Sequence, residues 1–425
     1  MKRRSLLLGG AGVALAAGAG VLAIKPVDRG ANHNPYFSTL NTLLKRDGPG
    51  RPVMLIDLER MNHNIDQIVK AVGADKTFRI VVKSLPAIGL LRHVMARAKT
   101  QALMVFHQPF LNAIADAFPD ADVLMGKPMP VSAVERFYQT FDERSDTNAF
   151  DPSSQIQWLI DSEQRLQQYQ ALAQRRGIKL RINVELDVGL HRGGLAVASE
   201  LTPLLDTIDA DPAHLVFAGF MGYEPHLTGL QAKLQDSAVQ GVLATYRSFV
   251  DLAKSRGIDV DSLTLNGAGS HTLGIYTQDT LMNDLSAGSG IVKPIDFDTY
   301  HLNANLAALF IATPILKRYE ELKIPGDPAI AKLLPLWNPN MQRLYYIYGG
   351  YWKAKMVSPA GVADPIYQST NQSPVTTSNT VDLQVDDYMF LRPTQSEHVM
   401  LQFGDLLVVS SDQIVASWPV FHQRG

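Results

Sequence analysis

Cysteine is absent from the 425 residues. That excludes disulfides, thiolate metal ligands and a cysteine nucleophile. Charge of one sign is also missing: 39 Lys and Arg stand against 41 Asp and Glu, a formal net charge of −2. No basic block follows the first four residues, which argues against electrostatic capture of nucleic acid. No Gly-x-Gly-x-x-Gly opens the first helical stretch, and no Gly-x-x-x-x-Gly-Lys-Ser/Thr loop, zinc-protease helix or serine-hydrolase elbow occurs. No repeat of fixed period is present. What remains is 46% hydrophobic and 19% charged, a composition that excludes disorder and a multi-span membrane protein. At about 150 residues per domain the length predicts two or three units, although one α/β barrel absorbs about 250.

Residues 1–23 read as an export signal. Lys2-Arg3-Arg4-Ser5-Leu6 precedes an uncharged Gly, Ala, Val and Leu run to Ile24, with small residues at Ala17-Gly18-Ala19. The adjacent arginines resemble the twin-arginine type, which carries folded proteins across the membrane to the periplasm. The alternative is an N-terminal membrane anchor, since about 20 apolar residues span a bilayer. Cleavage removes three of the 39 basic side chains and no acidic one, leaving a mildly acidic chain.

From Arg51 to Tyr300 short apolar runs alternate with amphipathic stretches. Val53–Leu58, Phe78–Lys83, Ala102–Phe106, Asp122–Met125, Ile156–Ile160, Leu180–Leu186, Leu215–Phe220, Leu263–Leu265 and Asn283–Leu285 have the composition and turn boundaries of strands. Leu58–Val72, Ser162–Arg175 and Leu230–Ser255 carry apolar residues at helical spacing. This alternation predicts a parallel sheet covered by helices, an α/β fold. Nine strands fit a (β/α)8 TIM barrel if the first lies outside it; periodicity alone also admits a doubly wound open sheet. After Leu302, Pro, Asn, Gln, Ser and Thr become frequent. Strand-like pieces at Arg343–Tyr348, Val381–Leu383, Val399–Phe403 and Leu406–Val409 predict a second, mainly β domain over 301–425. Residues 24–50 serve as linker and as the start of that domain, and 51–300 form the barrel.

Five segments could carry chemistry. Lys83 ends a predicted strand with an apolar run behind it, where burial favours the neutral, nucleophilic amine; a lysine snorkelling at a strand end is the structural alternative. Glu185, Asp187, Gly189, His191, Arg192, Gly193 and Gly194 mark a strand opening into a sharp turn, and Arg192 can grip a phenolate or carboxylate; a solvated loop with paired charges is equally compatible. Tyr223-Glu224-Pro225-His226 brings an aromatic and an acid–base pair to another strand end. Asn266-Gly267-Ala268-Gly269-Ser270-His271 and Ser286-Ala287-Gly288-Ser289-Gly290 are turns whose amides can wrap a phosphate. With Val53–Leu58 outside the barrel they follow its strands seven and eight, where such barrels commonly bind phosphate.

In this order the segments resemble the D-threonine aldolase and D-serine dehydratase family, which shares the barrel of alanine racemase. The likeness runs through Leu55-Ile56-Asp57-Leu58, Val82-Lys83-Ser84, Glu185 to Gly194, Gly222 to His226, Gly267 to Ser270, and Asn283 to Ser289. Gln395-Ser396-Glu397-His398 and Trp418-Pro419-Val420 extend it toward the C-terminus. The resemblance implies an alanine racemase-type barrel with a β domain, and pyridoxal 5′-phosphate (PLP) as cofactor. It implies Lys83 as the Schiff-base lysine, Arg192 near the cofactor ring, and Tyr223 beside the cofactor. Tyr223 and His226 then join Lys83 as catalytic residues, with Gly267, Ala268, Gly269, Ser270, Gly288 and Ser289 around the phosphate. A small D-amino acid substrate, a lyase reaction and a homodimer follow from the same likeness. Racemisation and a catalytically reduced PLP-binding protein are the other readings.

Two departures stand out. The lysine motif continues as Ser84-Leu85-Pro86 rather than through a further His or Lys. The family's metal-binding Pro-x-His-x-Cys or Pro-x-His-x-Asp segment has no counterpart between Gly404 and Trp418. His398 and His422 stand isolated, so no metal site is expected and the Lewis acid that would assist loss of a β-hydroxyl is in doubt.

Overall fold

The computed structural model describes residues 25–144, 149–230, 232–276, 281–326 and 328–422. The export signal expected at 1–23 lies outside them. Among the described residues no helix is long and apolar enough to cross a membrane.

The chain divides into two compact units. The larger runs from Leu55 to Leu309 and also takes in Thr394–Ser411 and the chain from Val415 onward. Strand β1 (Val53–Asp57) is wholly buried and stands outside the barrel. Eight strands close the barrel: β2 (Thr77–Val81), β3 (Ala102–Val105), β4 (Asp122–Met125), β5 (Ile156–Ile160), β6 (Leu180–Leu186), β7 (Leu215–Gly222), β8 (Thr264–Gly267) and β9 (Asp284–Ala287). All pair in parallel, and β2 meets β9 with Phe78 opposite Leu285 and Ile80 opposite Ala287. The open-sheet alternative is thereby excluded.

Sequence dictates the covering helices. Asp57 caps Leu58–Val72 by accepting from the Arg60 amide at 2.9 Å. Met61, Ile65, Ile68 and Val72, three and four apart, form its buried face, and Gly73 at φ 84° ends it. Ser162 caps Glu163–Arg176 in the same way, and Gly177 at φ 64° stops it.

The barrel interior is not uniformly apolar. Arg79 of β2 is almost wholly buried and donates to Asp284 at 2.8–3.0 Å and to Asp122 at 2.6 Å. Burial disfavours its charge, but the two carboxylates more than offset this and raise its pKa. Beside it Asn183 donates to Gln157 at 3.0 Å, and Gln157 donates to Thr264 at 2.8 Å. One strand read as apolar thus places a buried cation between a buried carboxylate, Asp284, and a partly exposed one, Asp122; losing the buried partner costs about 3–5 kcal/mol.

The smaller unit contains the described residues up to Met54, Phe310–Pro393 and Asp412–Ile414. Its sheet is antiparallel. In it β10 (Leu309–Tyr319) pairs with β11 (Arg343–Tyr348) and β14 (Tyr388–Pro393), β14 with β12 (Ala354–Ser358), and β11 with β13 (Gln372–Thr377). Ile315, Tyr345, Ile347, Val375 and Met389 form its core. Val381–Leu383, expected as a strand, joins no ladder. Val381 and Leu383 are buried in that core, and the carbonyl of Val381 is taken by Tyr345 Oη at 3.1 Å and by Arg343. Val399–Phe403 is also not a strand: Glu397–Leu401 is a short helix burying Val399 and Met400. The last strands, β15 (Asp405–Ser410) and β16 (Gln413–Pro419), follow it.

Candidate active site

The carboxyl ends of the barrel strands surround an open cavity enclosing about 600 Å³, where such barrels carry their chemistry. Lys83 enters it from the turn Val82–Ser84 that follows β2, two residues beyond the strand. Val82 and Ser84 are buried and fix the turn. Its ammonium lies 3.0 Å from Glu397 Oε1 and 4.9 Å from the centre of the Phe106 ring. The side chain is 42% exposed. The desolvated amine expected from the apolar run is therefore not observed, because that run ends below the cavity and a carboxylate holds the amine instead. Ser84 Oγ also approaches Glu397 Oε1, at 3.5 Å.

Residues near the far end of the chain brace the turn. Phe421 donates its amide to the Pro86 carbonyl at 2.8 Å, and Ala87 bridges Val420. Phe421 stacks on Phe110 with ring centres 4.4 Å apart. Trp418 lies so close to Gly89 that a Cβ there would sit 2.3 Å from its ring.

Arg192 comes from the turn after β6. Gly189, His191 and Gly194 take positive φ values of 106°, 55° and 97°, which bend the backbone sharply. Asp187 accepts from the Gly189 and His191 amides at 3.1 and 2.9 Å and pairs with the His191 ring at 2.8 Å. Arg192 lies over the Tyr223 ring, 5.2 Å from its centre, and 3.9 Å from Glu185. Burial pushes the Glu185 carboxyl up, and Arg192 works against that. Burial, then the charge of Glu224, raises the Tyr223 phenol.

The two Gly-rich turns meet. Ser270 Oγ accepts from the amides of Gly288 and Gly290, each at 3.0 Å. Amides expected to face a phosphate thus serve to join the two loops. Ala268 adopts φ 67°, the left-handed turn geometry that gathers amides into an anion-receiving hollow. A Cβ on Gly269 would sit 2.7 Å from the Tyr223 ring, and one on Gly288 would sit 2.8 Å from Ser84 and Val81. Only glycine leaves these approaches open.

Lys83, Arg192, Tyr223, Ala268, Gly269, Ser270, Gly288 and Ser289 all line this cavity. Gly267 ends β8 just below it, packed toward Met282. His226 is not brought to the cavity. The turn Pro225–Gly229 sets its ring against Gly189, its Nδ1 is buried without a partner, and burial lowers its pKa. Among the other lining residues, Asn266 and His271 lie in the first Gly-rich segment read from the sequence, whereas Phe106 and Glu397 were given no role there. Phe106 follows β3 directly, a position strand-end reasoning could have found. Asn266, with its Oδ1 buried and unpartnered, forms part of the floor. His271 stacks on Phe297 with centres 4.1 Å apart. Glu397 stands in a segment the resemblance covers, but nothing in its spacing says that it returns to Lys83. His398 and His422 are exposed. No group of three or more His, Asp or Glu residues among those described is gathered so as to hold a metal.

A barrel of this kind, with a lysine after its first strand and Gly-rich turns after its seventh and eighth, defines the class. The alanine racemase N-terminal domain family matches residues 56–292, more than half of the chain, and the protein belongs to it. Enzymes of this family use PLP. Among curated proteins, the chain is 24% identical over 147 residues to 3-hydroxy-D-aspartate aldolase of Paracoccus denitrificans, covering 33% of this chain and 36% of that protein. The match thus spans about a third of that relative. Among solved structures, D-threonine aldolase from Filomicrobium marinum superposes with a TM-score of 0.68 at 13% identity, over 88% of this chain and 98% of that one. D-threo-3-hydroxyaspartate dehydratase from Delftia sp. HT23 gives 0.65 at 13%, over 87% and 97%. Alanine racemase from Bacillus anthracis gives 0.66 at 12%, again over 87% and 97%. These similarities establish the shared fold.

The residues present fit the family's cofactor. A reachable amine, two joined Gly-rich turns on which a Cβ would crowd Tyr223, Ser84 and Val81, and a cation over an aromatic ring lie around one cavity.

Proposed function

We propose that the protein is a PLP-dependent enzyme acting on small D-amino acids, of the lyase type that cleaves or eliminates at Cβ. The observation that carries this reading is the meeting in one cavity of Lys83, the Arg192–Tyr223 pair and two turns joined through Ser270. Lys83 would hold the cofactor through its amine, the turns around Ala268 and Ser289 its phosphate, and Arg192 its ring. When bound, the cofactor supplies an electron sink for charge developing at the substrate Cα.

The chain's own groups then have separate tasks. The Lys83 amine, once released, sits where it can take or return a proton at the substrate. Tyr223, its phenol kept protonated by burial, can donate a hydrogen bond into the cavity. Arg192 keeps the Tyr223 ring in place by stacking over it. Phe106 shields one side of the amine from water.

A second reading, reprotonation at Cα as in a racemase, is favoured by one observation: the described residues gather no cluster of metal-ligating side chains. Incubation with a panel of D-amino acids separates the two. Glycine plus an aldehyde, or ammonia plus a keto acid, supports the lyase; appearance of the L-enantiomer supports the racemase. In the same preparation, borohydride should fix the cofactor on Lys83, and Lys83→Ala should lose the visible absorbance. Fixation on another lysine overturns the assignment.

A further inference from the structure

Glu224 is completely buried beside the site, and nothing in the proposed chemistry uses it. It follows Tyr223 directly but does not line the cavity. Its Oε1 accepts from Thr272 Oγ1 at 2.7 Å, and Thr272 Oγ1 in turn accepts from the Gly269 amide at 3.0 Å. Its Oε2 has no hydrogen-bond partner. A continuous chain of hydrogen bonds therefore runs from the backbone of the first Gly-rich turn to a carboxyl behind it. Ala268, strained at φ 67°, is the residue this chain underpins.

Burial pushes the Glu224 carboxyl up to about 7, against the pull of Thr272 and of the Ala268 and Glu224 amides. Three tyrosines, Tyr223, Tyr246 and Tyr276, face it from the segment it follows, from the helix Ala232–Ser255 and from the turn after β8. Burial raises all three, and the charge of Glu224 raises them further. Tyr246 also feels Asp284, while Arg192 and Glu397 bear on Tyr223 with opposite signs.

We propose that Glu224 is a positioning residue for the phosphate group: acting through Thr272 and the Ala268–Gly269 backbone, it holds the turn ready for an anion while protonated and weakens its grip when ionised. This rests on the reading that the turn receives the cofactor's phosphate. The physical reason is direct. A carboxylate behind the turn places like charge close to the phosphate in a poorly screened interior. A neutral carboxyl keeps the Thr272 link without the repulsion.

The test is to titrate the full-length protein, stripped of cofactor, with PLP at pH 6 and pH 8.5, following intrinsic fluorescence. Wild type, Glu224→Gln, Thr272→Val and Thr272→Ser are compared. Titrations of the phosphate and of Lys83 are common to all four, so the informative quantity is the difference between proteins. Wild type should lose about tenfold more affinity than Glu224→Gln across this interval. Thr272→Ser should behave as wild type, and Thr272→Val should bind more weakly at pH 6 with a flatter profile. Inorganic phosphate, as competitor, should show the same order. Equal pH profiles in wild type and Glu224→Gln, with binding intact, overturn the role of Glu224 alone. Absence of PLP binding by wild type at either pH overturns the functional reading and this proposal with it.

Discussion

Lys83 and Glu397 face each other in the cavity, Nζ 3.0 Å from Oε1, and the pair is held between the turn after β2 and a helix more than three hundred residues later in the chain. The amine has to leave this carboxylate before it can bond to anything else. Both side chains are partly exposed, so solvent screens the pair and it contributes about 1 kcal/mol or less. Glu397→Gln should therefore speed capture of PLP by the cofactor-free protein by up to about fivefold. High salt should speed wild type in the same sense. Stopped-flow absorbance reads both, and a slower variant would give Glu397 an active part in capture.

Stability should carry the signature of Glu224. Its carboxyl, raised from 4.5 in the unfolded chain to about 7, binds a proton in the native state that the unfolded state has already lost. Between these values stability falls as pH rises, by on the order of 3 kcal/mol. Below pH 4.5 and above pH 7 this contribution is flat. Glu224→Gln should remove the slope in urea denaturation series, and an unchanged slope would assign it to other groups.

Turnover is expected to be independent of divalent metal. The described residues gather no group of three or more His, Asp or Glu side chains to hold a metal, and removal of the Cα proton needs no metal. Exchange of that proton, followed by NMR in D2O, should survive strong chelation while loss of a β-hydroxyl stays slow. Chelator-sensitive turnover restored by manganese or zinc would place the ligands elsewhere, with His398 the first to mutate.

Export in the folded state is proposed from Arg3-Arg4, since a noncovalently held phosphate cofactor is most simply loaded before crossing. Arg3→Lys with Arg4→Lys should leave the protein inside the cell, as cell fractionation and immunoblotting would show. Periplasmic double mutant would indicate the unfolded route.

The barrel was legible because its strands repeat one simple signal, and Asp122–Met125, Ile156–Ile160 and Leu180–Leu186 occupy the residues that apolar runs and turn boundaries mark. Arg79 was not, because its partners Asp122 and Asp284 come from strands distant in sequence and no local pattern announces a buried ion pair. Short apolar pieces failed for a different reason: Val399-Met400-Leu401 fits a strand and one turn of helix equally well. Within the site, strand ends and glycines pointed to Lys83 and both turns. The neighbourhood of His226 did not follow from its place in Tyr223-Glu224-Pro225-His226, because a single turn sends adjacent side chains to opposite sides.

The bracing of the Lys83 turn by Trp418, Val420 and Phe421 sets an order of events during synthesis. Every barrel strand and the whole smaller unit are translated before these residues exist. Until they emerge, Pro86 lacks the Phe421 amide and Gly89 lacks the indole that covers it. The turn that carries Lys83 is thus braced last, by long-range contacts that form slowly compared with local ones. A ribosome-bound chain lacks this brace, so the turn reaches its final packing only once synthesis has ended.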